Sequence, residues 1–266
     1  MSSAQPRRVG LVTGASGGIG ADIARVLARR GHDLALVARR RDKLEALADE
    51  IETLGRPRPL VIALDLGAPD AAATLADELA GAGASVDILV NNAGFGLAGD
   101  VASLDAAEQL AVIDLNVGAL VAVTLRLLPD LIACRGRILN VASTAAFLPG
   151  PGMAVYYATK AFVLSFSEAL TQELRRQGVT VSVLCPGPTA TGFVDRAGLD
   201  SADLFKRFPQ MSSMQVAEAG VAGLMAGRRV ILPGLMNKLT GWLVPLVPHA
   251  LVLPVVAHLQ AVRRHD

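Results

Sequence analysis

Cysteine is nearly missing from this chain: Cys134 and Cys185 are the only two among 266 residues. Two thiols with neither metal-ligand spacing nor scaffold density exclude a zinc module or a disulfide framework, and each is expected to pack as a small apolar side chain. An excess of either charge is also missing. With 25 Lys and Arg against 24 Asp and Glu, there is no basic stripe for nucleic acid and no acidic tail. Aromatics reach only 4%. The apolar content comes instead from Ala, Leu and Val, which suits a parallel sheet covered by helices on both faces. His32, His249, His258 and His265 have neither triad partners nor metal spacing, and no carboxylate pair suggests glycoside hydrolysis. After Arg7-Arg8 the apolar run is broken at once by Gly14, Gly17, Gly18 and Gly20, so no secretory leader is expected and a cytoplasmic protein is the default. Internal repeats and low-complexity linkers are lacking too.

What remains is a regular alternation of apolar β-rich runs and helical patterns. Strands are predicted at 9–13, 34–38, 60–64, 87–91, 136–142 and 180–185, with a short last one at 230–232. Helices are predicted at 18–30, 42–54, 69–80, 105–133, 155–177 and 214–226. Such alternation implies right-handed βαβ crossovers and a doubly wound α/β sheet of about seven strands. Ligands of such sheets bind beyond the carboxyl ends of the strands. Here a glycine cluster, Asp65, Asn91–Gly94, Ser143 and Pro186-Gly187 all fall just after strands. One domain over 1–234 is expected, followed by an apolar extension over 235–266.

The richest stretch runs from Ser143 to Lys160. Tyr156 and Lys160 are four apart and share a helix face. An ammonium beside a phenol favours the phenolate and lowers a pKa that is ordinarily ~10, so the pair reads as a general acid/base. Ser143 alongside would hold a carbonyl or alcohol oxygen. Upstream, Thr13-Gly14-Ala15-Ser16-Gly17-Gly18-Ile19-Gly20 lies between the first strand and first helix. There glycines permit a tight turn, and free N–H groups at a helix start favour a pyrophosphate. The second strand ends in Val37-Ala38-Arg39-Arg40-Arg41, with no carboxylate before Asp42. Arginine grips a 2′-phosphate where an acid would hold a 2′-hydroxyl. NADP(H) is therefore expected over NAD(H), with Arg39 the first candidate and Arg40 the second. Asp65, followed by Leu66, reads as an acceptor for adenine or as a helix cap. Asn91 would fix a strand end, and Asn92-Ala93-Gly94 would let backbone pass close to the cofactor. Asn116, a polar amide in an apolar helix, is either a satisfied core asparagine or a distortion holding water near Lys160.

Together these elements resemble the classical short-chain dehydrogenase/reductase family over about Val9 to Gly187. That resemblance implies a Rossmann-type fold and a tetrad of Asn116, Ser143, Tyr156 and Lys160. Tyr156 would exchange the substrate proton and Ser143 would orient the oxygen. Lys160 would hold the nicotinamide ribose and lower the tyrosine pKa, while Asn116 supports a water relay. Pro186, Gly187 and Thr191 would lie along the nicotinamide. A homodimer or homotetramer is the expected assembly.

For the substrate, Phe147, Leu148, Pro149 and Met153, with a lid over 189–210 carrying Phe193, Leu199, Leu204, Phe205 and Phe208, point to an apolar carbonyl or alcohol. The tail from Leu235 to Val262 is almost uncharged and interrupted by Pro245, Pro248 and Pro254. The prolines speak against a span of about 20 residues. Contact with a membrane surface, a subunit interface or the substrate pocket all remain open. The leading reading is an NADP(H)-dependent carbonyl reductase or alcohol dehydrogenase. The alternatives are a cofactor-sensing regulator on the same fold and a membrane-associated reductase of acyl or steroid ketones.

Overall fold

The computed structural model describes residues 6–190, 211–243 and 247–260. The first half alternates β1 (Arg7–Thr13), α1 (Gly18–Arg29), β2 (Leu34–Ala38), α2 (Arg41–Thr53), β3 (Leu60–Ala63), α3 (Ala71–Gly81) and β4 (Ala84–Asn91). Then come α4 (Ala106–Ile113), a π-turn at Asp114–Ala119, α5 (Leu120–Ala133), β5 (Arg137–Val141), a 3₁₀ turn at Thr144–Phe147, α6 (Ala154–Glu173) and β6 (Thr180–Leu184). Two short strands, β7 (Thr189–Ala190) and β8 (Met211–Ser212), pair with each other. The chain closes with α7 (Ser213–Met225), β9 (Val230–Ile231), α8 (Leu235–Leu243) and α9 (His249–Gln260).

Seven strands form one sheet in the order β3-β2-β1-β4-β5-β6-β9, and every pairing in it is parallel. The order reverses between β1 and β4, where crossovers switch from one face to the other and open a crevice at the strand ends. Successive strand residues point to opposite faces, so Val12 faces the layer of α1, α2 and α7 while Leu11 faces α3, α5 and α6. Ile23, Leu27, Leu44 and Ile51 fill the first layer, and Leu75, Leu131 and Ile138 the second. Each is fully buried or nearly so and contributes about 1.5–3 kcal/mol relative to exposure.

The expected helix over 105–133 is present but not uniform. Its middle widens into the π-turn, and such turns insert one residue into the helical ladder. By length and composition the run Ala106–Ala133 could cross a membrane. Its Val123, Leu127 and Leu131, however, are buried in the core layer on one face of the sheet. In the tail the prolines do not prevent helix formation: Pro248 precedes α9 and Pro254 lies within it.

Candidate active site

A cleft of about 730 Å³ opens over the carboxyl ends of β1, β4, β5 and β6, the size of a typical small-molecule site. Its floor is the turn from β1 into α1, with Gly14, Ser16, Gly17, Gly18 and Ile19 at the surface. Gly14 takes a left-handed φ of +67°, which glycine adopts without steric cost. Gly20 lies below, where a Cβ would overlap Asn92 Nδ2 and come within 2.5 Å of the Gly14 carbonyl oxygen. Thr13 and Asn92 lock this turn to β4. Thr13 Oγ1 donates to the Val90 carbonyl at 3.2 Å and accepts from the N–H groups of Asn92 and Ala93 at 2.9 and 3.1 Å. The Asn92 amide donates back to the carbonyls of Thr13 and Gly14 at 3.0 and 3.3 Å. Asn92 thus builds the turn from beneath as well as lining the cleft with Ala93 and Gly94.

Arg39, Arg40, Asp65 and Leu66 form one end of the cleft. The Arg40 guanidinium reaches Ser16, donating to its carbonyl at 3.3 Å and its hydroxyl at 3.2 Å. Arg39 lies 3.6 Å from Asp65 Oδ2, both half exposed, an ion pair worth little in solvent. Asp65 Oδ1 also accepts from the Gly67 N–H at 3.1 Å. Its carboxylate is therefore turned partly to its own loop and partly to Arg39.

At the other end stand Ser143, Tyr156 and Lys160. Ser143 follows β5, where its Oγ accepts from the Ala145 N–H at 3.1 Å and sits 3.5 Å from the Pro186 carbonyl. Ser143 shares the cleft wall with Tyr156. Tyr156 and Lys160 project from adjacent turns of α6, with Nζ 5.7 Å from the ring centroid. Burial pushes the phenol well above its ordinary range, against the opposing pull of Ser143. Burial also draws the ammonium down to about 8, because desolvation disfavours whichever form carries charge. Here burial is the largest influence on the phenol. Nζ donates to the Val141 carbonyl at 3.0 Å, and desolvation dominates both groups.

Asn116 occupies the π-turn behind Gly94 and is almost fully buried. Its Oδ1 accepts from the Phe95 N–H at 3.0 Å, while Nδ2 donates to the Phe95 carbonyl at 2.8 Å and to Thr159 Oγ1 at 3.1 Å. The distortion expected of this residue is therefore real in the backbone, and its side chain is committed to holding the β4–α4 connection against α6. Asn91 likewise fixes its strand end, donating to Thr124 Oγ1 and Asn140 Oδ1, each at 2.9 Å.

Pro186 and Gly187 line the cleft beyond β6. Thr191 and the lid residues Phe193, Leu199, Leu204, Phe205 and Phe208 lie outside the described residues. Three contributors escaped the sequence reading. Val141 acts through a carbonyl and carries no side-chain signature. Thr159 is hidden in the helix between Tyr156 and Lys160. Asn237 comes from α8: a Cβ on Gly187 would overlap its amide, and that amide donates to the Pro233 carbonyl at 2.6 Å.

Residues 8–202 match the model of the short chain dehydrogenase family. Sulfoacetaldehyde reductase 2 of Chromohalobacter salexigens is 38% identical over 215 residues, 78% of this chain and 84% of that one. A short-chain dehydrogenase from Sphingobium yanoikuyae, solved with NADPH, is 33% identical with a TM-score of 0.79 and covers 97% of both chains. A short-chain dehydrogenase/reductase from Burkholderia phymatum, solved with NAD, is 26% identical with a TM-score of 0.79, over 89% of this chain and 92% of that one. The chain belongs to the short-chain dehydrogenase family and is a dehydrogenase/reductase of CH–OH and C=O groups.

Proposed function

We propose that this enzyme is NADP(H)-dependent and interconverts a carbonyl and a secondary alcohol on an apolar substrate. The observation that carries the reading is that Ser143, Tyr156 and Lys160 line the same cleft as the glycine turn. The turn lies open to the cleft through Gly14, Ser16, Gly17, Gly18 and Ile19, with α1 starting at Gly18 to present free N–H groups to a pyrophosphate. When bound, the nicotinamide supplies or accepts the hydride. Everything else falls to the protein. Ser143 holds the substrate oxygen, and Tyr156 gives it a proton in reduction or takes one in oxidation. A phenol kept protonated by burial favours the donating role. Lys160, fixed on the Val141 carbonyl, contributes positive charge beside the reacting oxygen. The Asn116–Thr159 bond holds α6 in register with the cleft.

Cofactor choice rests on this chain's own residues, since similar structures hold NADPH and NAD alike. No carboxylate ends β2. Arg40 flanks Ser16 and Arg39 stands beside Asp65, so two guanidinium groups rim the region where a 2′-phosphate would sit. For the substrate, Met153, Leu148, Ala145 and Tyr157 cluster around Tyr156 as an apolar wall. The name of the Chromohalobacter relative supports reduction of a carbonyl.

The test is turnover of a ketone panel with NADPH and NADH, followed by nucleotide absorbance, for the native enzyme and Tyr156→Phe. The variant is expected to lose about 10²–10⁴-fold in kcat while binding NADPH as before. Tight NADPH binding with no turnover of any ketone would instead favour a nucleotide-sensing role.

A further inference from the structure

We infer that Met153 sets the size limit for one substituent of the reacting carbonyl, because it closes a second, apolar pocket off from the cleft. This rests on the carbonyl/alcohol reading above and adds the shape of the substrate to it. Met153 stands immediately before α6, three residues ahead of Tyr156. It is buried and packs in one cluster with Ala145, Tyr157 and Tyr156. Met153 and Tyr156 line the cleft, and the same two residues line a small pocket behind it. Two residues common to both spaces form the partition between them. Tyr156 is committed to proton transfer, which leaves Met153 as the part of the partition that can set specificity.

The backbone that carries Met153 is pinned from both sides. The Gly99 N–H donates to the Gly152 carbonyl at 2.8 Å, and the Met153 N–H donates to the Gly150 carbonyl at 3.0 Å. Gly150 lies so close to the Tyr157 ring that a Cβ there would overlap it. The wall is therefore fixed in place, and its reach is that of an unbranched thioether. Behind it the pocket is apolar, lined by Leu97, Leu104 and Val112. The Gln109 amide at its edge is spent on the carbonyls of Val101 and Leu104, at 3.1 Å each. As it stands the pocket holds about 10 Å³, room for roughly one water. A methyl group on this side of the carbonyl meets Met153 as a wall, and a propyl group finds no space. Shortening Met153 to its Cβ would join pocket to cleft and admit an alkyl arm.

The experiment uses the full-length enzyme with NADPH and the best methyl ketone of the panel above, with its ethyl and propyl homologues. The native enzyme is expected to favour methyl over propyl by about tenfold or more in kcat/KM. Met153→Ala should raise the propyl-to-methyl ratio by about tenfold or more, the scale of a methylene in an apolar pocket. Leu104→Phe added to Met153→Ala refills the pocket from behind and should return the ratio to the native value. Met153→Phe, which leaves no cavity, should lower the ethyl-to-methyl ratio and tests the limit independently. Each readout is a ratio within one preparation, so a smaller folded fraction does not move it. With the methyl ketone still turned over, three outcomes overturn the inference alone: equal use of methyl and propyl by the native enzyme, an unchanged ratio in Met153→Ala, or a gain that Leu104→Phe leaves in place. A native enzyme that turns over none of the ketones overturns it together with the reading on which it rests.

Discussion

Asn116 on the π-turn donates a 3.1 Å hydrogen bond to Thr159 on α6, one residue before Lys160. Thr159 passes the constraint on by donating to the Tyr156 carbonyl at 2.7 Å. A side chain that meets no substrate in this cleft therefore ties the two elements whose alignment the chemistry needs. Thr159→Val keeps the shape and removes the bond. It is expected to lower kcat several-fold while nucleotide affinity holds. Asn116→Leu removes the bonds to Phe95 as well and is expected to cost about 1–3 kcal/mol of stability. Denaturant unfolding and steady-state kinetics on both variants separate the effects, and an unchanged kcat in Thr159→Val would remove that residue from positioning.

Lys160 links activity to the pH dependence of stability. Its pKa is about 8 in the folded chain and ~10.4 when unfolded. Between those values the unfolded state binds more protons, so stability rises with pH across that window. Below pH 8 the folded chain bears the full cost of a buried ammonium, on the order of 3 kcal/mol. Lys160→Met is therefore expected to be more stable than the native enzyme at pH 7, with the difference shrinking towards pH 10. Unfolding titrations of both proteins at several pH values check this. A constant difference would show that the ammonium is not desolvated.

Gly20→Ala tests the glycine turn. The added methyl would meet Asn92 Nδ2 and the Gly14 carbonyl, and the turn must shift to make room. A cost of about 1–3 kcal/mol is expected, together with loss of nucleotide affinity measured by calorimetry. Retained affinity would mean that the cofactor does not depend on this turn.

The two arginines are separable by their partners. Arg40→Ala is expected to weaken NADPH by about tenfold or more and NADH little, since each charge-assisted bond to phosphate is worth roughly 1.5–3 kcal/mol. Arg39→Ala also frees Asp65 from its 3.6 Å partner. It is expected to weaken NADPH far more than NADH. Equal losses for both nucleotides in both variants would take the arginines out of 2′-phosphate recognition.

The strand–helix alternation, the glycine turn and the Tyr156/Lys160 pair were legible because each is a local pattern. Period two marks strands, period 3.6 marks helices, and glycine marks a turn wherever it stands. Even the short β9 at Val230–Ile231 was readable from its apolar residues. Limits between elements moved by a residue or a few, as at β4, which begins at Ala84 rather than Asp87.

Contacts between segments far apart in the chain could not be read that way. Within the π-turn the Asn116 amide pairs with Phe95 and Thr159 across the fold. Desolvation of Tyr156 and Lys160 depends on what the folded chain stacks around them. That Asn237 rests on Gly187, turning the leucines of α8 outward, follows from where β9 delivers the chain. Local propensity and spacing determined which segments became helix, strand or turn. Burial, and the pairing of polar groups that burial demands, was decided only when those segments closed on one another.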